Sequence, residues 1–141
     1  MPEISVEKLY RDTRRNLKLT WVAGLDGGDN MLSSETVSKP SLALIGHLNF
    51  VHPNRVQVLG CAEMDYLRSL ASKELQQSIH NLFSTDLAAV VVANGEIPPQ
   101  ELIDAANRMD TPLFTTPLQS PSLMDVLSHY LSQAVAETVS F

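Results

Sequence analysis

Side chains that could carry out nucleophilic or metal chemistry are few in this sequence, and they are scattered. The chain contains one cysteine, Cys61, and four histidines in separate segments, namely His47, His52, His80 and His129. No two histidines stand four residues apart, as they do in the H-E-x-x-H zinc motif, so the sequence predicts no metal site. Cys61 follows a predicted strand at the start of a predicted helix, where backbone dipoles lower the pKa of a thiol. It is either a reactive thiol or a small packing residue.

Three carboxylates follow predicted strands and could form a general acid and base. Glu63 and Asp65 come after the second strand and Glu96 after the third, so the fold could bring them together across a crevice. Glu63 is equally well placed to cap its own helix. Both interpretations stay open on the sequence alone.

One glycine-rich segment, GLDGGDN at 24–30, could contact a ligand. It has no lysine after the glycines, as a P-loop requires, and it does not match the G-x-G-x-x-G dinucleotide fingerprint. The sequence therefore contains no nucleotide-binding motif. We interpret the segment as a surface loop, with a ligand-gripping loop as the alternative.

Alternating short apolar strands and amphipathic helices must position these residues. The strands are predicted at 19–23, 55–59, 87–93 and 113–116, and the helices at 6–16 (capped by Ser5), 41–46, 63–70, 73–83, 98–109 and 120–137. The run LAAVVVA at 87–93 is continuously apolar, which is typical of a strand covered on both faces. This order predicts one α/β domain over residues 1–141, a three-layer α/β/α fold with a mostly parallel, roughly four-stranded sheet.

Ligands of open α/β sheets collect outside the carboxyl ends of the strands. The segments predicted there are 24–30, 60–63, 94–96 and 115–120. Their side chains predict a small-anion site at Asn94, Thr115, Thr116 and Ser120. The alternative is that these residues only cap helices and form turns.

Composition and charge exclude several classes of protein. The chain has 10 Lys and Arg against 16 Asp and Glu, with a net charge of −6, so it lacks the overall positive field of a general nucleic-acid or anionic-membrane binder, and only local basic patches stay open. A single cysteine excludes an internal disulfide framework. No apolar run is long enough for a membrane span, and the opening MPEISVEKLYRD lacks an apolar leader core, so we expect a cytoplasmic protein.

Half of the basic residues lie between positions 8 and 18. On the first predicted helix they fall on the side opposite its apolar stripe. This basic stripe is either a solvated face or a surface that docks an acidic partner, and its interface candidates are Lys8, Arg11 and Arg15.

The most distinctive segment runs from Val37 to Leu70 and reads VSKPSLALIGHLNFVHPNRVQVLGCAEMDYLRSL. It resembles the amino-terminal domain of the HPr kinase/phosphorylase family, in which an [IV]-S-R-P-G-L-x-L-x-G segment precedes an aromatic stretch, R-[IV]-Q-[IVL]-[LI]-G and x-x-E with Y/F-L. The matching residues are Val37, Ser38, Pro40, Leu42, Leu44, Gly46, Phe50, Arg55 to Gly60, Glu63, Tyr66 and Leu67. The resemblance continues through LAAVVVANGEIPPQELIDAA and TPLFTTPLQSPSLMDVLSHYL, so it covers nearly the whole chain.

The resemblance implies a fold similar to the amino-terminal domains of Mur ligases and a non-catalytic role in assembly and regulation. It implies a parent enzyme that phosphorylates a serine of HPr, the phosphocarrier of the sugar phosphotransferase system, with ATP or pyrophosphate and Mg²⁺, and reverses this by phosphorolysis. Those activities belong to a carboxy-terminal kinase core with a Walker A motif, which is absent from these 141 residues. Its expected partners are that core, the other subunits of a hexamer, and HPr through the parent enzyme.

Two departures from the family pattern weaken an anion-binding role. Lys39 and Ser41 replace the expected arginine and glycine around Pro40, and GGDN at 27–30 lacks a basic residue. Two further hypotheses are a sensor of a phosphorylated metabolite at the strand ends, and a free-standing enzyme that uses Cys61 or the pair Glu63 and Glu96. We expect the isolated domain to be a monomer or a weak dimer.

Overall fold

Strands and helices alternate along the part of the chain that the computed structural model describes, residues 4–32, 37–38, 55–84 and 87–138. The strands in these ranges are β1 (Ile4–Ser5), β2 (Thr20–Ala23), β3 (Met31–Leu32), β4 (Val37–Ser38), β5 (Arg55–Leu59), β6 (Leu87–Val92) and β7 (Leu113–Thr115). The α-helices are α1 (Val6–Thr13), α2 (Cys61–Arg68), α3 (Ser72–Phe83), α4 (Gln100–Arg108) and α5 (Ser120–Thr138). A 3₁₀ helix, Leu25–Gly27, follows β2.

The main sheet has five strands in the order β2-β7-β6-β5-β4. Strands β4 to β7 are parallel, and β2 pairs antiparallel with β7 at one edge. A small antiparallel sheet joins β1 to β3. Five of the six residues of β6 are buried, as its unbroken apolar run predicts for a central parallel strand.

Each face of the sheet carries its own apolar core. On one face, α1 and α5 pack through Leu9, Leu123 and Leu127 against Val56 and Phe114. On the other face, α2, α3 and α4 pack through the side chains Met64, Leu67, Ile79, Leu82, Leu102 and Ala106. The predicted three-layer α/β/α architecture with a mostly parallel sheet is therefore confirmed.

Local signals place the helix boundaries close to where the sequence predicts them. The Lys8 N–H donates to Ser5 Oγ at 3.1 Å, so the predicted cap of α1 is confirmed. The predicted helices at 63–70, 73–83, 98–109 and 120–137 correspond to α2, α3, α4 and α5. The predicted helix at 41–46 lies outside the described residues.

The direction of β2 corrects one prediction. Because β2 runs antiparallel to β7, its carboxyl end and the segment 24–30 lie at the opposite edge of the sheet from the carboxyl ends of β5, β6 and β7. The Gly24 N–H donates to Asn107 Oδ1 at 2.8 Å, beside the start of β7. Gly24 has a φ of 67°, and a Cβ there would lie 2.0 Å from the Thr111 carbonyl oxygen. The grouping of 24–30 with the other strand ends is therefore wrong, because apolar patterning gives a strand's position but not its direction.

Within the described ranges, no helix combines the length and the apolar character needed to cross a membrane.

Candidate functional site

The carboxyl ends of β5, β6 and β7 form the edge of the sheet at which the sequence predicts a site. Gly60 follows β5, Asn94 follows β6 with one residue between, and Thr116 follows β7. The antiparallel direction of β2 brings the residue before its start, Leu19, and its first residue, Thr20, to this same edge.

Asn94 and Ser120 do contact each other at this edge. Asn94 has a φ of 62°, its N–H donates to the Leu118 carbonyl at 2.7 Å, and its Nδ2 donates to Ser120 Oγ at 3.3 Å. Ser120 is buried, and a Cβ at Gly60 would lie 2.3 Å from Ser120 Oγ. The pair holds the turn after β6 against the start of α5 and against β5, so both side chains serve the fold.

The hydroxyl of Thr116 is also engaged in the fold. It donates to the Leu17 carbonyl and accepts a hydrogen bond from the Leu118 N–H at 3.2 Å. Thr116 is 2% exposed. Its backbone carbonyl accepts from the Gly95 N–H at 3.0 Å. Thr116 thus joins the segment between α1 and β2 to the edge of the sheet.

Thr115 is half-buried and faces a groove of about 400 Å³ beside β2. The groove contains one cation, Lys18, and one carboxylate, Glu96. The rest of its lining is mostly apolar or backbone: Thr20, Val22, Gly95, Ile97, Pro98, Thr116 and Pro117. Of the four predicted ligand residues, the structure brings Thr115 and Thr116 to this groove, and it places Asn94 and Ser120 in the adjoining hydrogen-bonded pair.

Glu96 is held by an ion pair across the strand ends. Arg68 donates to Glu96 and, through Nη1, to Asp65 Oδ1 at 3.1 Å. The hydrogen bond from Arg68 lowers the pKa of the Glu96 carboxyl, so Glu96 is ionised at neutral pH. A carboxylate held in this way is a poor general acid.

Cys61 lies beside that carboxylate, with its Sγ 3.6 Å from Glu96 Oε2. Partial desolvation and the hydrogen bond to Glu96 raise the pKa of the Cys61 thiol. The helix N-terminus predicts the opposite direction. The geometry at Cys61 therefore disfavours a reactive thiolate.

Glu63 caps α2, which is the alternative that the sequence left open. The Gly60 N–H donates to Glu63 Oε1 at 2.7 Å, and Glu63 is buried. This contact is the acidic half of a capping box. Glu63 is therefore committed to the start of its own helix.

The basic stripe is partly neutralised by its own helix. Lys8 Nζ lies 2.7 Å from Asp12 Oδ2, and Arg11 Nε lies 3.7 Å from Glu7 Oε1. Asp12 also accepts a hydrogen bond from the Tyr130 hydroxyl of α5. The bond from Lys8, followed by that from Tyr130, lowers the pKa of the Asp12 carboxyl.

The basic residues that follow these two ion pairs along the chain are less constrained by neighbouring charges. Arg14 lies with its guanidinium carbon 6.0 Å from the centre of the Tyr10 ring, which stacks on Phe114. Within the described residues, Arg14, Arg15 and Lys18 form no ion pair. The positive charge of the stripe is therefore most available where α1 ends and β2 begins.

A second cavity, of about 460 Å³, lies between α3 and α4. Its charged lining mixes Lys73 and Arg108 with Glu101 and Asp104, and most of these side chains are exposed. Sequence reasoning did not find it, because its residues are ordinary solvent-facing positions of two amphipathic helices. Among the described residues, no three His, Cys, Asp or Glu side chains are grouped so that they could hold a metal ion.

A known protein family and several known proteins match nearly the whole of this chain. The model of the family described as "HPr Serine kinase N terminus" matches residues 4–131. The HPr kinase/phosphorylase of Chromobacterium violaceum is 47% identical over 136 residues, which are 96% of this chain and 42% of that protein. The HPr kinase/phosphorylase of Burkholderia ambifaria is 38% identical over 135 residues, 94% of this chain and 42% of that protein. The chain thus spans less than half the length of these relatives.

Among solved structures, the CBS and DRTGG domains of the regulatory region of Clostridium perfringens pyrophosphatase align with 97% of this chain and 71% of that one, at 19% identity and a TM-score of 0.31. A similarity this low supports no structural or functional conclusion.

Proposed function

Because the chain belongs to the HPr serine kinase amino-terminal family, we propose that it is a non-catalytic domain of an HPr kinase/phosphorylase, acting in the assembly and regulation of that enzyme. The observation that carries the proposal is the match of residues 4–131 to the family, within a chain that has no P-loop. The state of the strand-end residues supports it. Among the described strand-end residues, Thr116, Ser120 and Glu63 are buried and hydrogen-bonded within the fold. The Cys61 thiol lies beside Glu96, but its pKa is raised by desolvation and by that carboxylate, so it is not an activated nucleophile.

In this proposal the parent enzyme phosphorylates a serine of HPr with ATP or pyrophosphate and Mg²⁺ and dephosphorylates it by phosphorolysis, in the regulation of carbon metabolism in the cytoplasm. The carboxy-terminal kinase core would supply all of the phosphate-binding groups. This domain would contact that core and other subunits of a hexamer. The candidate residues Lys8 and Arg11 on α1, and Arg15 two residues after its end, stay predictions for that contact.

The first test is the intact mass of the endogenous polypeptide that begins MPEISVEKLY. We expect a mass far above 15.5 kDa, since the relatives are more than twice as long as the matched region. A mass of 15.5 kDa would contradict the proposal.

The second test is a phosphate-transfer assay on the purified 141-residue chain, with HPr, Mg²⁺ and either ATP or pyrophosphate. We expect no transfer by the chain alone and transfer by the longer polypeptide, because the sequence of this chain contains no P-loop to hold the β- and γ-phosphates. Transfer by the 141-residue chain would refute the non-catalytic role.

A sensor of a phosphorylated metabolite is the second candidate, and the groove that places Lys18 beside Thr115 is the observation that favours it. A ligand specific for the folded state must raise apparent stability. A thermal-shift panel of phosphate, sugar phosphates and nucleotides should then show stabilisation that Lys18→Ala removes and Lys73→Ala retains. No stabilisation at millimolar concentrations would reject the sensor.

A further inference from the structure

Exposed apolar side chains are concentrated along the outer edge of β2. This strand ends the sheet, so within the described residues its side away from β7 pairs with no other strand. Val22 is 36% exposed, Leu25, two residues after the strand, is 64% exposed, and Ile97, across the groove from Val22, is 81% exposed. An open sheet edge flanked by apolar side chains is typical of an interaction surface.

Charges of opposite sign lie at the two ends of this edge. Lys18 precedes β2 and Asp26 follows it, each four residues from Val22 along the chain. Both side chains are exposed, and neither forms an ion pair with a described residue. The edge is therefore basic at its start, apolar in its middle and acidic at its end.

We propose that this β2 edge patch, defined as Lys18, Val22, Leu25, Asp26 and Ile97, is a contact surface between two copies of this chain. A two-fold axis near Val22 would place Lys18 of each copy against Asp26 of the other, so that every charged contact forms twice. A parallel alignment of the same two edges would place like charges together. The order of charges along the edge thus selects a second copy in the antiparallel orientation.

This inference deepens the assembly role proposed above and rests on that proposal for its biological purpose.

The edge itself limits how strongly two copies associate. The pairing of β2 with β7 is irregular between Trp21 and Ala23, and the Trp21 indole N–H donates to the Ala23 carbonyl at 3.0 Å. Such devices oppose open-ended strand addition, so the contact rests mainly on side chains. We expect a weak dimer, with a dissociation constant on the order of 100 µM or weaker.

Sedimentation velocity on the 141-residue chain tests the surface. We expect monomer at about 10 µM and growing dimer toward about 1 mM. Val22→Asp should remove the dimer, whereas Val126→Asp on α5, where the valine is 38% exposed, is the matched control and should retain it. A chain that stays monomeric over this range, or a dimer that Val22→Asp leaves intact while circular dichroism confirms its fold, would overturn the proposal.

Charge reversal tests the orientation with substitutions at exposed positions. Lys18→Glu and Asp26→Lys should each weaken the dimer at least about fivefold, because an attractive exposed pair becomes repulsive at two symmetric contacts. Lys73→Glu should change the dissociation constant less than about twofold. An equimolar mixture of the Lys18→Glu and Asp26→Lys chains should restore association, since each unlike pair is then complementary.

Failure of the mixture to restore association would reject the antiparallel contact. That result would leave the family-based function standing, because the intact mass and the phosphate-transfer assay do not depend on this surface. Conversely, a charge-dependent dimer of an endogenous 15.5 kDa protein would keep the contact and reject the parent enzyme.

Discussion

The carboxyl edge of the parallel strands and the outer edge of β2 adjoin each other. Polar side chains at the first edge are hydrogen-bonded within the fold, whereas side chains at the second are exposed. At the carboxyl edge, the hydroxyls of Thr116 and Ser120 and the amide of Asn94 are bonded to one another or to the backbone. In the β2 edge patch, Val22 and Ile97 are exposed and Lys18 has no ion pair with a described residue. Polar residues at a favoured position of a fold therefore do not make a site unless their hydrogen-bonding groups remain available.

Thr116→Val is expected to have the largest effect on stability. Valine has nearly the same shape but leaves the Leu17 carbonyl and the Leu118 N–H without the hydroxyl that both contact, so we expect a loss of about 3 kcal/mol. Urea denaturation measures this loss. Ile97→Ser, at the other edge, should change the free energy of unfolding by less than about 0.5 kcal/mol. If the two substitutions lower the free energy of unfolding equally, the two edges do not differ in how their side chains contribute to stability.

Glu63→Ala is expected to cost about 1.5 kcal/mol, since it removes the acceptor of the buried Gly60 N–H at the start of α2. Glu74→Ala, in the first turn of α3, is the matched control, because Glu74 is exposed. It should stay within about 0.5 kcal/mol. If the two variants melt alike, the cap contributes nothing and Glu63 becomes available for another role.

The sequence predicts the helices and the longer strands better than it predicts which strands pair and in which direction. Helices α1 to α5 and strands β5 to β7 carry local signals, such as the Ser5 cap and the apolar run of β6, that do not depend on distant residues. The two-residue strands β1, β3 and β4 are missed because too few residues alternate to give a pattern. Such short strands form only through distant pairing.

The candidate site shows the same limit in its hydrogen bonds. Sequence spacing places Thr116 at the correct edge of the sheet, but its acceptor is the Leu17 carbonyl, 99 residues away. The antiparallel direction of β2 brings these groups together, and no local pattern encodes that direction. For the same reason, no local pattern indicates that β2 is an edge strand.

Glu96→Gln tests how the carboxyl edge affects Cys61. Desolvation, the largest cause of the raised thiol pKa, stays in this variant, but the negative charge of Glu96 and its charged hydrogen-bond acceptor, which also raise that pKa, are lost. More thiolate is then present near neutral pH, so alkylation by iodoacetamide should become about two- to threefold faster. Glu101→Gln, on α4, should leave the rate unchanged. An unchanged or slower rate in Glu96→Gln would mean that Glu96 does not control the thiol.

Asp12→Asn is expected to have the smallest effect, because its ion pair with Lys8 is exposed to solvent. The pKa of the Asp12 carboxyl is lowered in the folded protein by the hydrogen bonds from Lys8 and Tyr130, so the ionised form stabilises the fold. This contribution is complete above the unfolded pKa and is lost as the pH falls through the folded pKa. Screening limits it to about 0.5 kcal/mol at neutral pH, and it should decline as the pH is lowered toward 2. Urea denaturation at both pH values, with Asp125→Asn as the control, measures the difference. If Asp12→Asn still lowers the free energy of unfolding by the same amount at pH 2, the effect comes from the packing of Tyr130 on α1 and not from charge. An exposed residue would then stabilise the fold through packing, as the buried residues of the carboxyl edge do.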